Sequence, residues 1–253
     1  MTSRERTIAR RRLAAETRMA AAAEKRIRIV FQREGNRVVD AVAAGRDPAS
    51  EIDVDEWQAA LLAIWRQVFE ALDDEKSKAT RSELVALVQQ IIDSPTRARE
   101  IARFLDEASA GITTTTRRRL ATILADTTVT DRAAVLDNLR RLYATEFVGT
   151  RSNLIALDNV LRSTATFDFE QAVVEQDGLR RDNVEIAKSW MTQGDARVRD
   201  SHQAAQGQTR RLDDPFIVGG VSLRYPRDPA GATGETINCR CVMITRRRRK
   251  PKT

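Results

Sequence analysis

The chain has 253 residues, 42% hydrophobic and 31% charged, which is long enough for one large domain or two modest ones with real cores. No apolar run approaches the roughly 20 residues of a membrane span, so an integral membrane protein is excluded. The arginine-rich start is followed by no apolar stretch, so no secretory signal is expected. A 5% aromatic share argues against an aromatic-lined nucleobase platform as the main surface. The two cysteines, Cys239 and Cys241, are too few and too close for a disulfide framework, and reduced thiols are expected.

The net charge of +7 is unevenly placed. Residues 1–37 carry eleven Lys/Arg against four Asp/Glu, residues 38–95 five against twelve, and residues 246–253 six against none. The long part between, 96–245, is nearly neutral. The basic excess therefore sits at the ends, around Arg10, Arg11 and Arg12 and in the run Arg246, Arg247, Arg248, Arg249 and Lys250. Such ends attract polyanions by releasing counterions, without reading bases. A plain solvated tail is the alternative reading of the C-terminal run.

In chain order, Ile27, Val30, Phe31, Val38 and Val42 recur at helical spacing, and Gly45-Arg46-Asp47-Pro48 stops that helix. This first helix is long and basic and is expected to project from the body. Asp53 and Glu56 read as a capping pair for a helix with the stripe Trp57, Leu61, Ile64, Val68 and Leu72. Ser82-Glu83 precedes another stripe through Ile92. Ser94-Pro95 starts the next helix, with Ile101, Phe104, Leu105 and Ala108 inward and Gly111 closing it. Thr113–Thr116 leads into a further short helix. Thr130-Asp131 opens one with Leu136, Leu139 and Leu142 buried, and its successor carries Leu154, Leu157, Val160 and Leu161.

From about residue 184 the grammar changes, with four of the six prolines lying beyond it. Val184, Ile186 and Trp190 alternate as in a strand. Phe216–Val218, Gly219-Gly220 and Val221–Leu223 read as a hairpin. Cys241–Ile244 reads as a last short strand before a basic tail. The fold class is therefore mainly α with a small C-terminal α+β module. The divisions are a helical region at 1–95, a second region at 96–245 (helical over 96–180, β-containing over 184–245) and a basic tail at 246–253.

The informative constellation lies in that module. His202 is the chain's single histidine, and with Cys239 and Cys241 it offers three soft ligands for zinc, a carboxylate being the fourth. Closed structural zinc sites usually hold four protein ligands, and spacing alone carries little weight. His202 could also serve as a general base oriented by Asp195 or Asp200, and Arg240 could activate the neighbouring thiols. The competing reading is a buried structural cluster without metal, with Trp190 filling the core, Asn238 pinning the last strand through backbone hydrogen bonds, and Gly207 and Gly220 in turns needing positive φ.

Three stretches then combine: Trp190, Asp195, Arg197-Val198-Arg199, His202 and Gly207; Leu223, Tyr225-Pro226 and Asp228-Pro229; and Glu235, Ile237-Asn238-Cys239-Arg240-Cys241. In type and order they resemble the phage Mu F-like minor head protein family, also called the phage head morphogenesis domain. The resemblance is strong over about 185–245 and weak upstream to about 100, and nothing in it covers 1–95. It implies a structural, non-enzymatic head protein of a tailed phage or prophage, sitting in the virion inside the capsid near the portal vertex and in host cytoplasm during assembly. Portal and capsid proteins are the implied partners, with packaged DNA met through the basic termini. No membrane, small-molecule substrate or cofactor is expected.

Many family members carry Cys-x-x-Cys where Arg199-Asp200-Ser201-His202 stands here, and a His shortly before Cys-Arg-Cys. That departure leads to the expectation that a metal has given way to an ion pair, with Arg199 or Arg197 meeting Glu235 beside His202 and Asn238. Trp190, Asp195, Arg197, Arg199, His202, Glu235, Asn238, Cys239, Arg240 and Cys241 are thus expected to form a polar clasp between two distant stretches. The alternatives are a toxin-like hydrolase or nuclease using His202 with Asp195 or Asp200, and a free DNA-binding protein of the host.

Overall fold

The computed structural model describes residues 3–76, 95–126, 128, 131–179 and 183–250. The helix expected over 82–92, the Ser94 cap and the Thr130 start lie outside these residues. The described chain is mostly helical with a small antiparallel sheet near its C-terminal end. In order it forms α1 (Ser3–Ala43), a 3-10 turn (Pro48–Glu51), α2 (Val54–Lys76), α3 (Pro95–Leu124), α4 (Arg132–Arg141), a π-helical stretch (Leu142–Arg151) and α5 (Ser152–Gly178). Then follow β1 (Val184–Met191), α6 (Asp200–Ala204), β2 (Thr209–Arg211), β3 (Phe216–Val218), β4 (Val221–Leu223), α7 (Thr233–Thr236) and β5 (Val242–Arg249). No described helix is long and apolar enough to cross a membrane.

The helix boundaries follow local chemistry. α1 ends where Gly45, at φ 71°, lets Arg46 N–H reach the Ala41 carbonyl at 2.8 Å and Gly45 N–H reach Val42 at 3.1 Å, a glycine-capped C-terminus. Asp53 accepts from the Asp55 and Glu56 amides, at 2.9 and 3.4 Å, ahead of α2. Asp131 does the same for α4 through the Ala133 and Ala134 amides, both at 3.2 Å.

Gly111 does not close a helix: α3 runs straight through it and through Thr113–Thr116. The threonine hydroxyls donate back to carbonyls one turn earlier, Thr115 to Gly111 at 2.9 Å and Thr116 to Ile112 at 3.0 Å, so the helix satisfies them internally. Leu154, expected inward, is 48% exposed, while Val160 and Leu161 of the same helix are buried.

The described chain gathers into two compact units, and both draw on residues either side of the boundary expected near 95. One contains Ala20–Arg66 and Ile101–Asn159. Its core is aromatic: the Phe31 ring meets Trp57 edge-on at 4.5 Å and stacks on Phe147 at 5.2 Å. Buried Glu34 accepts from Trp57 Nε1 at 2.9 Å and from the Tyr143 hydroxyl at 3.0 Å. Gly35 leaves room for the Tyr143 ring, which a Cβ there would meet at 2.7 Å.

The other unit contains Met1–Met19, Gln67–Glu100 and Val160–Thr253. Its three-stranded sheet has the order β2-β1-β5, antiparallel throughout, with Trp190 opposite Met243 and Met191 opposite Val242. β3 and β4 form the expected hairpin, turned by Gly219 and Gly220 at φ 56° and 78°. Phe169, Ile186, Leu212, Tyr225 and Met243 make one core cluster, and Trp190, Phe216, Leu223, Cys239 and Cys241 another.

Two expectations change in this unit. The start of α1 does not project: Ala9 packs against Met191 and Val242, and Glu16 is buried. The last strand does not stop at Ile244 but carries the arginine run to Arg249, paired along β1 as far as Val184.

Candidate functional site: a buried His-Cys-Cys cluster

The site is built by two short elements on the edge of the Trp190 core. α6 opens at Asp200 and delivers His202, which is 2% exposed. The turn after α7 delivers the cysteines: Asn238 takes φ 53°, and Cys239 and Cys241 follow, each 2% exposed. A left-handed Asn is among the cheaper ways to make so sharp a turn.

His202 Nε2 lies 2.9 Å from Glu235 Oε2, and the Ser201 hydroxyl donates to the same oxygen at 2.8 Å. The carboxylate fixes the tautomer with the proton on Nε2 and turns the Nδ1 lone pair inward. Nδ1 then faces both sulfurs, Cys241 Sγ at 3.4 Å and Cys239 Sγ at 3.6 Å. All three donor atoms lie within 4.8 Å of one another. Trp190 closes the floor, its ring edge-on to His202 at 5.4 Å.

The electrostatics favour a negative sulfur. A hydrogen bond from Cys241 lowers the Cys239 thiol well below its ordinary value against the cost of burial, with His202 and Arg227 assisting. Cys241 is raised in consequence, by its bond to Cys239, by burial and by the neighbouring charge, while Arg227 and the Trp190 N–H pull the other way. Burial opposes a charged His202, yet its bond to Cys239, the Cys239 charge and Glu235 together raise it.

The structure assembles most of the expected clasp, with different partners. Neither Arg197 nor Arg199 provides the ion pair expected for Glu235, because His202 and Ser201 hold that carboxylate. Arg199 instead donates to the Ile237 carbonyl at 2.6 Å, and the Arg197 amide donates to Asp195 at 3.1 Å. The ion pair that ties the two stretches is Arg240 with Asp195, bidentate at 2.7 and 2.6 Å. Asp195 therefore serves an arginine and not the imidazole, and Asp200 stands in the first turn of α6.

Four contributors were not read from the sequence. Ser201 is one. Gly219 is another: a Cβ there would sit 2.5 Å from the Glu235 carboxylate, so the turn glycine also makes room for the clasp. Arg227, at φ 70° and 1% exposed, donates to the Cys241 carbonyl at 2.7 Å and to Leu161 at 2.5 Å. Buried Glu16 of α1 accepts from Arg227 at 3.3 Å and from Thr164 at 2.7 Å. Only the neighbouring glycine pair and the Ser-His dipeptide gave any signal, and neither specifies a partner.

Among the basic residues expected to meet polyanions, Arg10, Arg11 and Arg246 to Arg249 are exposed. Arg12 does not belong with them: its guanidinium is turned onto Glu16 and Asp168. Arg247 pairs with Glu175 at 2.5 Å and Arg248 with Glu185 at 2.8 Å. Lys250 is half-buried, its amide donating to Asn183.

Comparison with known proteins places this geometry. Residues 130–244 match the family described as Phage Mu protein F like protein. A 61-residue stretch is 34% identical to the NAD(+)--arginine ADP-ribosyltransferase EFV of Enterococcus faecalis (strain ATCC 700802 / V583). That stretch is 24% of this chain and spans only 12% of the Enterococcus protein. No solved structure matches the chain. The match from 130 to 244 takes in α4, α5, the sheet up to Ile244 and the whole His-Cys-Cys cluster, so it is this part of the chain that is similar to the Phage Mu protein F like family.

Proposed function

We propose that the chain is a structural protein of a tailed-phage or prophage head, acting in head morphogenesis at the portal vertex. The observation that carries this is the Mu F-like match over residues 130–244. The site's form supports it: His202 is 2% exposed and both ring nitrogens are engaged, which suits a clasp. The protein then resides in the virion, inside the capsid near the portal, after assembly in host cytoplasm. Portal and capsid proteins are its partners, and exposed Arg10, Arg11, Arg246 and Arg249 add a contact to packaged DNA.

The competing hydrolase or nuclease reading needs an accessible imidazole oriented by Asp195 or Asp200, whereas Arg240 holds Asp195 and Glu235 takes Nε2 of the buried ring. The Enterococcus relative lends no activity, since the shared stretch covers 12% of it.

The test is composition and assembly. Particles purified from cells expressing the tagged chain should contain it, crosslinked to the portal protein, and particles made without it should be defective. Absence from particles, or a catalytic turnover lost in a folded His202→Gln variant, overturns the proposal.

A further inference from the structure

The three donor atoms are spaced as in a chelate. Nδ1 lies 3.4 Å from Cys241 Sγ and 3.6 Å from Cys239 Sγ. A tetrahedral zinc ion matches this spacing. Zn–S bonds of about 2.3 Å and a Zn–N bond of about 2.0–2.1 Å put sulfur and nitrogen roughly 3.6 Å apart. The observed separations already have that value without any rearrangement.

We propose that His202 Nδ1, Cys239 Sγ and Cys241 Sγ bind one Zn²⁺ ion, with a water molecule as the fourth ligand. Three further observations bear on this. Glu235 on Nε2 is the outer carboxylate that a metal-bound histidine typically has, fixing the ring and raising its basicity. A cavity of about 20 Å³ lies against the three donors, bordered by Asn238 and Arg199, and one water needs roughly 10–15 Å³ by the same measure. Trp190, fully buried, packs in one cluster with Cys239 and Cys241, so the donors stand on a dry floor.

The charge also closes. On binding, each thiol loses its proton to solvent, and two thiolates with a neutral imidazole cancel the charge of the ion. A neutral centre is cheap to bury. Two cysteines in the whole chain are too few for a four-thiolate iron–sulfur cluster, which leaves a single ion of borderline softness. The ion fastens α6 to the loop before β5. Zinc binding of this kind is independent of the head-protein reading.

The experiment is metal analysis of the full chain, purified without chelator or affinity nickel. Stoichiometric zinc is expected, and zinc at background in Cys239→Ser and Cys241→Ser, while Glu146→Gln, in an exposed ion pair with Arg119, keeps it. Cobalt exchange into the wild-type chain covers the case in which the serine variants do not fold. It should give tetrahedral visible bands and thiolate-to-cobalt charge transfer in the near ultraviolet. Removal by chelator should lower Tm, and added zinc should restore it. A wild-type protein that carries no zinc and takes up none, or a cobalt form without thiolate bands, overturns the proposal.

Discussion

His202 Nε2 stands 2.9 Å from Glu235 Oε2, and this contact decides which way the imidazole presents its other nitrogen. Because the carboxylate takes the N–H, the lone pair is turned onto the two sulfurs. Glu235→Ala should therefore loosen the whole cluster. Leaving a buried polar group without its partner costs about 1–3 kcal/mol, to be read from urea unfolding. Zinc affinity should fall about 10–100-fold, as for other outer-shell carboxylates. An unchanged unfolding midpoint together with an unchanged zinc affinity would refute both.

The two glycines of the β3–β4 turn should respond differently to alanine. Gly220 has open space around its Cβ position, so Gly220→Ala carries only the strain of positive φ, about 1–2 kcal/mol. Gly219→Ala carries that strain and also drives a Cβ to within 2.5 Å of the Glu235 carboxylate. It should be clearly the more destabilising of the two by denaturant titration and should reduce zinc content, which Gly220→Ala should leave intact. Equal effects would mean that the turn and the clasp are independent.

Lys188 supplies a pH signature. Its side chain is fully buried, with Nζ donating to the Arg224 carbonyl at 2.7 Å and lying over the Phe169 and Phe216 rings at 5.2 and 5.1 Å. Burial pushes its pKa down to about 8. An unfolded lysine keeps its proton to about pH 10.4. Between those values the unfolded chain holds a proton that the folded chain has released, so this group's contribution to stability rises with pH. Below about pH 8 both states hold it and the contribution is flat at its least favourable. The unfolding free energy of the wild type minus that of Lys188→Met should grow between pH 8 and pH 10 by up to about 1.4 kcal/mol per unit. Taking the difference removes Tyr225, which burial raises and which weakens the fold at higher pH. A flat difference would count against a perturbed lysine.

Buried Glu16 and Arg227, each 1% exposed, join the start of α1 to the loop that carries Cys241. Glu16→Ala should cost about 3–5 kcal/mol, the usual loss when one member of a buried pair is left charged and alone. Arg10→Ala on the same helix, being exposed, should stay within about 0.5 kcal/mol. Calorimetry or chemical denaturation of the two variants separates an anchored helix from a projecting one.

Arg10 and Arg11 should instead matter for polyanions. If exposed arginines meet phosphates, duplex binding should weaken steeply with salt, and removing one arginine that neutralises a phosphate should reduce the log–log slope by about 0.9. Filter binding of Arg10→Ala and Arg11→Ala at several salt concentrations measures this. Binding that ignores salt, or none, removes the DNA contact from the proposed function.

The sequence by itself determined the helical body and the hairpin. Apolar residues at helical spacing bury one face whatever lies across from it, and Gly219-Gly220 can adopt the positive φ that a tight turn demands. Those signals are local, and they held for Trp57 with Leu61 and for Phe216 with Val218. Gly111 misled because the threonines after it repair the helix through their own hydroxyls.

What only the tertiary structure decided is which polar group meets which. Glu235 met His202 and not an arginine, Asp195 met Arg240 and not the imidazole, and Arg12 turned inward onto Asp168. Pairing of that kind depends on where separate backbone segments come to lie, to within a fraction of an ångström. The fall of a hydrogen bond with distance and angle therefore makes it invisible to residue type and spacing alone.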